Sequence, residues 1–191
     1  MLVESVGRAM LVVLERLAPA ERIAFVLHDL FAVPFDQIAP VVGRTPQTAK
    51  KLASRARQRV RGTTDGPPVD AAWHRSVVEA FLAAARGRDI AGLLAVLDPD
   101  VVRHADLAAV SANAPLELRG AEHVVEETLL LWRNAQHAAP ALVDGRIGLI
   151  VAQFGQLRAV IAMTVRTGRI TEYTVTADPA RLARIQIAVL D

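Results

Sequence analysis

Seven residues divide this chain in two. Gly62-Thr63-Thr64-Asp65-Gly66-Pro67-Pro68 puts two glycines and two prolines where neither helix nor strand tolerates them. It reads as an exposed linker, residues 63–69, between an N-terminal part at 1–62 and a second part at 70–191. The two sides differ in charge. Residues 1–62 hold ten Lys/Arg and five Asp/Glu, a net of +5, inside a whole-chain balance of only +2. The rest is therefore acidic by three. Such segregation assigns a polyanionic partner to the first part alone. The absence of cysteine excludes disulfides, thiolate metal sites and cysteine nucleophiles, and fits a reducing compartment. No run approaches the roughly 18 apolar residues of a membrane span, and no basic-then-apolar leader opens the chain. A soluble cytoplasmic protein without a membrane partner is the expectation.

The first part reads as four helices and no strand. Leu11, Leu14 and Leu17 space the first, which stops at Ala18-Pro19. Residues 20–31 form the second, and Pro34 opens the third, whose apolar stripe is Phe35, Ile38, Val41 and Val42. Gly43 ends it as a left-handed C-terminal residue. Thr45 caps the fourth, which starts at Pro46 and aligns Ala49, Leu52, Ala53, Ala56 and Val60 on one face. Between residues 44 and 61 stand Arg44, Lys50, Lys51, Arg55, Arg57, Arg59 and Arg61, without a single carboxylate. A short helix, a glycine-containing turn and a longer basic helix make a helix-turn-helix. Its cations suit phosphates, and its longer polar tips suit base edges. Arg44, Thr45, Gln47, Lys50, Lys51, Ser54 and Arg55 are the expected DNA contacts, with a merely solvated basic face as the rival reading. The second part alternates. Helices are expected at 73–86, 90–97 and 121–132, the second broken at Asp98-Pro99. Strands are expected at 101–105, 116–118, 139–143, 147–154, 157–165 and 169–176, with hairpin turns at Asp144-Gly145 and Thr167-Gly168, and a last helix at 179–187. This makes an α+β domain.

Several segments carry a family resemblance. Leu17-Ala18-Pro19-Ala20-Glu21-Arg22, His28, Phe35-Asp36-Gln37-Ile38-Ala39 and Leu52-Ala53-Ser54-Arg55-Ala56-Arg57 resemble region 4 of bacterial RNA polymerase sigma factors, closest to the extracytoplasmic-function group. The resemblance implies reading of the promoter −35 element and docking on the β flap of core RNA polymerase. Residues 70–191 resemble a SnoaL-like domain, a cone of the NTF2-like fold. The telling segments are 77–85, Leu97-Asp98-Pro99-Asp100-Val101-Val102, Arg119-Gly120-Ala121-Glu122 and Gly168-Arg169-Ile170-Thr171-Glu172. Together they are similar to the SigJ-like sigma factors, in which the appended domain regulates the sigma factor in cis. Those factors open with region 2, which this sequence lacks, so the chain is not expected to initiate transcription alone. Their DGGG loop is here Asp106-Leu107-Ala108-Ala109, and their NPDKL is Asp178-Pro179-Ala180-Arg181-Leu182.

Cones of this type often enclose a pocket, and some are cyclases or isomerases. His104, Asp106, Trp132 and Tyr173 are the candidates to line one, His123 being a fifth. His104 and Asp106 are two apart on an expected strand and would share a side. The plainer alternative makes His104 strand-end polar and Asp106 the start of a loop. Nothing else converges nearby, so a non-catalytic cone is expected. His123 and Glu127 share a helix face, but no third ligand is spaced to join them, so neither metal nor cofactor is expected. A small ligand in the cone, and a homodimer through its sheet, stay open beside a monomeric regulator.

Overall fold

The computed structural model describes residues 2–62, 68–112 and 114–190, with residues 63–67 of the expected linker outside that range. Helix α1 (Leu2–Glu15) is longer than its leucine spacing suggests. It buries Ala9, Val12 and Val13 and turns Leu11 outward. Helix α2 (Pro19–Phe25) runs into one π-helical turn, Val26–Leu30. In α3 (Phe35–Val41) the expected opening residue, Pro34, is instead the extended N-cap. Gly43 follows with a φ of 62°, as a C-terminal glycine should. Thr45 caps α4 (Pro46–Arg61), its hydroxyl accepting from the Thr48 N–H at 3.3 Å.

The second part begins with α5 (Pro68–Gly87). This helix absorbs the last two residues assigned to the linker, because a proline in the first turn costs no hydrogen bond. Helix α6 (Ile90–Val96) passes directly into β1 (Leu97–Ala105), which runs through Asp98-Pro99 instead of breaking there. A register shift between Leu97 and Val102 provides the irregularity in which a strand tolerates proline. After β2 (Glu117–Arg119), the expected helix at 121–132 is two: α7 (Ala121–Leu130) and α8 (Trp132–Gln136). The meander is β3 (Ala138–Val143), β4 (Arg146–Gln153), β5 (Gln156–Arg166) and β6 (Arg169–Thr176). Its three tight turns all carry positive φ at both central residues: Asp144-Gly145, Phe154-Gly155 and Thr167-Gly168. The last helix is only α9 (Pro179–Leu182), and β7 (Ile187–Ala188) replaces its expected end. Among the described residues, the strands form one sheet ordered β2-β1-β6-β5-β4-β3-β7, with β1–β6 its parallel pair. Its curl around α5, α6 and α7 is the α+β cone that the resemblance implies.

Side-chain parity then joins the two parts. Ile147, Leu149 and Val151 of β4 face the cone interior with Phe81, Leu82, Leu93 and Val124. Ile150 and Ala152 point the other way, into a second core with Ala9, Val12, Val13, Ala56 and Val60 of α1 and α4. Strand β3 alternates likewise, Ala138 and Leu142 inward, Ala139, Ala141 and Val143 outward. The Val189 N–H donates to the Val60 carbonyl at 2.7 Å. At the end of α4, Gly62 has φ 61°, and a Cβ there would stand 2.5 Å from that of Ala188. Backbone therefore meets backbone where the cone grips the helix-turn-helix.

Candidate nucleic-acid interface and cone cavity

Ala49, Ala53, Ala56 and Val60 are buried along one side of α4. With about 100° of rotation per residue, Gln47, Lys51, Ser54 and Gln58 project from the opposite side, flanked by Lys50, Arg61 and Arg55. All seven are exposed. Arg44 and Thr45, also exposed, stand at the helix start, where backbone N–H groups favour anions. Two of the seven cations have other work. Arg57 is bidentate to Asp29 at 2.8 and 3.1 Å, a contact that raises its pKa, and Arg59 reaches the buried Glu21 at 2.6 Å. Both tie α4 to the preceding helical segments. His28 does the same for α3, stacking on Phe35 at 3.9 Å and bonding the Val33 carbonyl at 3.0 Å. Arg55 also lines a cleft with Gln58 and Arg59, facing residues 183–188 of the cone.

The cone holds a cavity of about 350 Å³. Of the four candidates to line it, only Tyr173 does. His104 lies on the outer side of the sheet, 38% exposed, 3.6 Å from Glu117 and 3.4 Å from Glu172. Asp106 falls just past the end of β1, so strand alternation no longer governs it. Its carboxylate accepts from the backbone N–H groups of Ala109, Ala177 and Asp178. Trp132 is half-buried on α8 between Arg88 and Arg133, each 5.9 Å from its ring. His123 bonds the Arg119 carbonyl. The polar groups that do reach the cavity are Glu127, Thr128 and Tyr173, with Asn134, Gln153 and Arg158. Behind them Arg103 is 1% exposed; it holds both oxygens of Glu127 and the Pro115 carbonyl. Burial first, then the Glu127 charge, raises the Tyr173 phenol far above its ordinary value, against a hydrogen bond with Thr128 and the Arg103 charge. Sequence reasoning missed Arg103, because an arginine alternating with apolar residues looks like an ordinary strand position. Its signal was parity, since Val101 and Arg103 share the inward face.

The described helices 35–41 and 46–61 form a helix-turn-helix whose second helix turns a basic face outward. Residues 7–60 match the family Sigma-70, region 4. The N-terminal part is thus a sigma-70 region 4 domain, and the chain is a homologue of extracytoplasmic-function sigma factors. It is 35% identical over 183 residues to the probable ECF RNA polymerase sigma factor SigI of Mycobacterium tuberculosis, covering 94% of this chain and 60% of that protein. It is also 35% identical to the ECF RNA polymerase sigma factor SigJ of the same organism, covering 90% and 59%. The crystal structure of Mycobacterium tuberculosis SigJ aligns with a TM-score of 0.47 at 33% identity, over 89% of this chain and 62% of that one. The chain spans about three fifths of the length of these relatives. Among the described residues no helix is long and apolar enough to cross a membrane.

Proposed function

We propose that this chain acts with RNA polymerase in transcription initiation. Its region 4 binds the promoter −35 duplex through α4 and docks on the polymerase β flap, and the cone regulates it in cis, all in the cytoplasm. The observation that carries this reading is the division of labour on α4. One side is locked into two cores, while Lys50, Lys51, Ser54 and Gln47 face solvent clear of the cone. The cone holds α1 and the C-terminal end of α4, so its regulation sets the orientation of the basic face and does not cover it. Arg55 alone of the three central cations looks along the cleft toward the cone. The cone acts without turnover in this reading. Both oxygens of Glu127 are engaged by Arg103, the Tyr173 phenol stays protonated, and His104 and Asp106 lie outside the cavity. A monomer is the working form, since α1 and α4 already occupy the outer face of β3 and β4.

Replacing Lys50, Lys51 and Arg55 together by alanine tests the reading. Three lost phosphate contacts should flatten the dependence of log K on log salt by about 2.7, at roughly 0.9 per contact. Fluorescence anisotropy with a −35 promoter fragment, across a salt series, measures it. Unchanged affinity in a variant of unchanged circular dichroism removes the DNA assignment.

A further inference from the structure

The cone cavity is walled by Phe81, Leu82, Leu149, Val151, Ile161 and Val175. At about 350 Å³ it is within the range of pockets that take small organic molecules. Charge narrows the ligand. The charged side chains lining the cavity are Glu127 and Arg158. Arg103 compensates Glu127 with two hydrogen bonds from directly behind it. Arg158, exposed on β5, forms no ion pair among the described residues. The lining thus presents an apolar chamber with one uncompensated guanidinium, suited to a molecule with an apolar body and a single anionic end.

The same walls reach region 4. Ala135 and Ala138 line the cavity, and the Ala138 carbonyl accepts from Arg86 of α5 at 2.7 Å and from Arg8 of α1 at 3.2 Å. Arg8 also holds the neighbouring Gln136 carbonyl at 2.6 Å. Between the cavity residues Leu149 and Val151, Ile150 packs from the other side of β4 into the core that contains α1. A body that fills the chamber presses on the α8–β3 corner to which α1 is tied.

We propose that the cone cavity binds a small, mostly apolar carboxylic acid, its carboxylate on Arg158, and that occupancy is relayed to α1 through the Ala135–Ala138 corner and Arg8. The relay supplies the input of the cis regulator and so rests on that reading; the binding site does not. Calorimetry on the full chain with octanoate and benzoate, and with octan-1-ol as the uncharged control, tests the site. At least one acid binds, the alcohol binds at least about tenfold more weakly, and Arg158→Gln loses a similar factor. The cavity-filling variants Ala109→Trp, in a loop, and Ala159→Phe, in β5, abolish binding while keeping the native circular dichroism. Equal binding by octan-1-ol, or by Arg158→Gln, overturns the carboxylate assignment. Undiminished binding in a folded filled variant, or no binding by either acid at about 1 mM, overturns the site. In a second arm, the bound acid slows hydrogen exchange in α1 of the wild type and leaves it unaltered in Arg8→Gln. Binding without that change overturns the relay alone. Neither arm uses DNA or polymerase, so either result leaves the promoter experiment to stand or fall by itself.

Discussion

At the scale of single residues, the Arg103–Glu127 pair is the most consequential polar contact in the cone. Arg103 is enclosed and Glu127 faces the cavity, so removing the guanidinium leaves a carboxylate without its counter-charge in a mostly apolar chamber. Arg103→Ala is expected to cost about 3–5 kcal/mol in urea unfolding, and the double variant Arg103→Leu/Glu127→Leu less than that. His74 gives a pH effect. Burial, and secondarily the Arg146 charge, hold its imidazole below the ordinary 6.5, against a hydrogen bond to the Met163 backbone, and its Nε2 is buried without a partner. With the folded pKa depressed, the unfolded chain takes up the proton first. Stability present above pH 6.5 is therefore lost as pH falls from there toward the folded pKa. Urea titrations across that window should show the loss in the wild type and a flatter profile in His74→Gln.

At the scale of elements, β4 has least room for change. It is covered on both faces and paired on both edges, by β3 and β5. Gly148 sits in it because a Cβ there would meet the Ile161 carbonyl at 2.5 Å and Val143 at 3.4 Å. Gly148→Ala must push β5 away, and is expected to lower stability by about 1–3 kcal/mol, read as a drop in thermal midpoint. The elements also show where local rules hold. Thr45, Gly43 and the turns at Asp144-Gly145 and Thr167-Gly168 were legible because caps and tight turns depend on neighbours a few residues away. Phe154-Gly155 has the same backbone, but a phenylalanine at positive φ carries no turn signature in the sequence. The helix expected at 179–187 failed because Ile187 and Ala188 find a better partner in Leu142 and Val143 of β3.

For the whole molecule, the second core makes region 4 and the cone one cooperative body. Ile150 is fully buried against α1 and α4, so Ile150→Ala should cost about 2–5 kcal/mol. Helical circular dichroism and tryptophan fluorescence, whose reporters Trp73 and Trp132 both lie in the cone, should follow the same urea transition. Separate transitions would contradict a shared core. Deleting residues 63–191 would strip the cover from Ala9, Val12, Val13 and Val60, so a truncated region 4 should expose new apolar surface, measurable as increased dye binding.

By itself, the sequence determined the local and the periodic: the Thr45 cap, the Gly43 helix end, the turns at Asp144-Gly145 and Thr167-Gly168, the basic face of α4, and the change of pattern near residue 62. These follow from contacts a few residues apart and from side-chain spacing. Tertiary structure decided which apolar faces meet. The expected strand at 147–154 is buried on both faces, and nothing in its sequence named α1 as the second cover. Likewise, spacing could not tell that Arg103 would find Glu127, or that Asp106 would turn back to cap residues 177 and 178. Such pairings join residues 24 to 72 positions apart, and only the path of the folded chain brings them together.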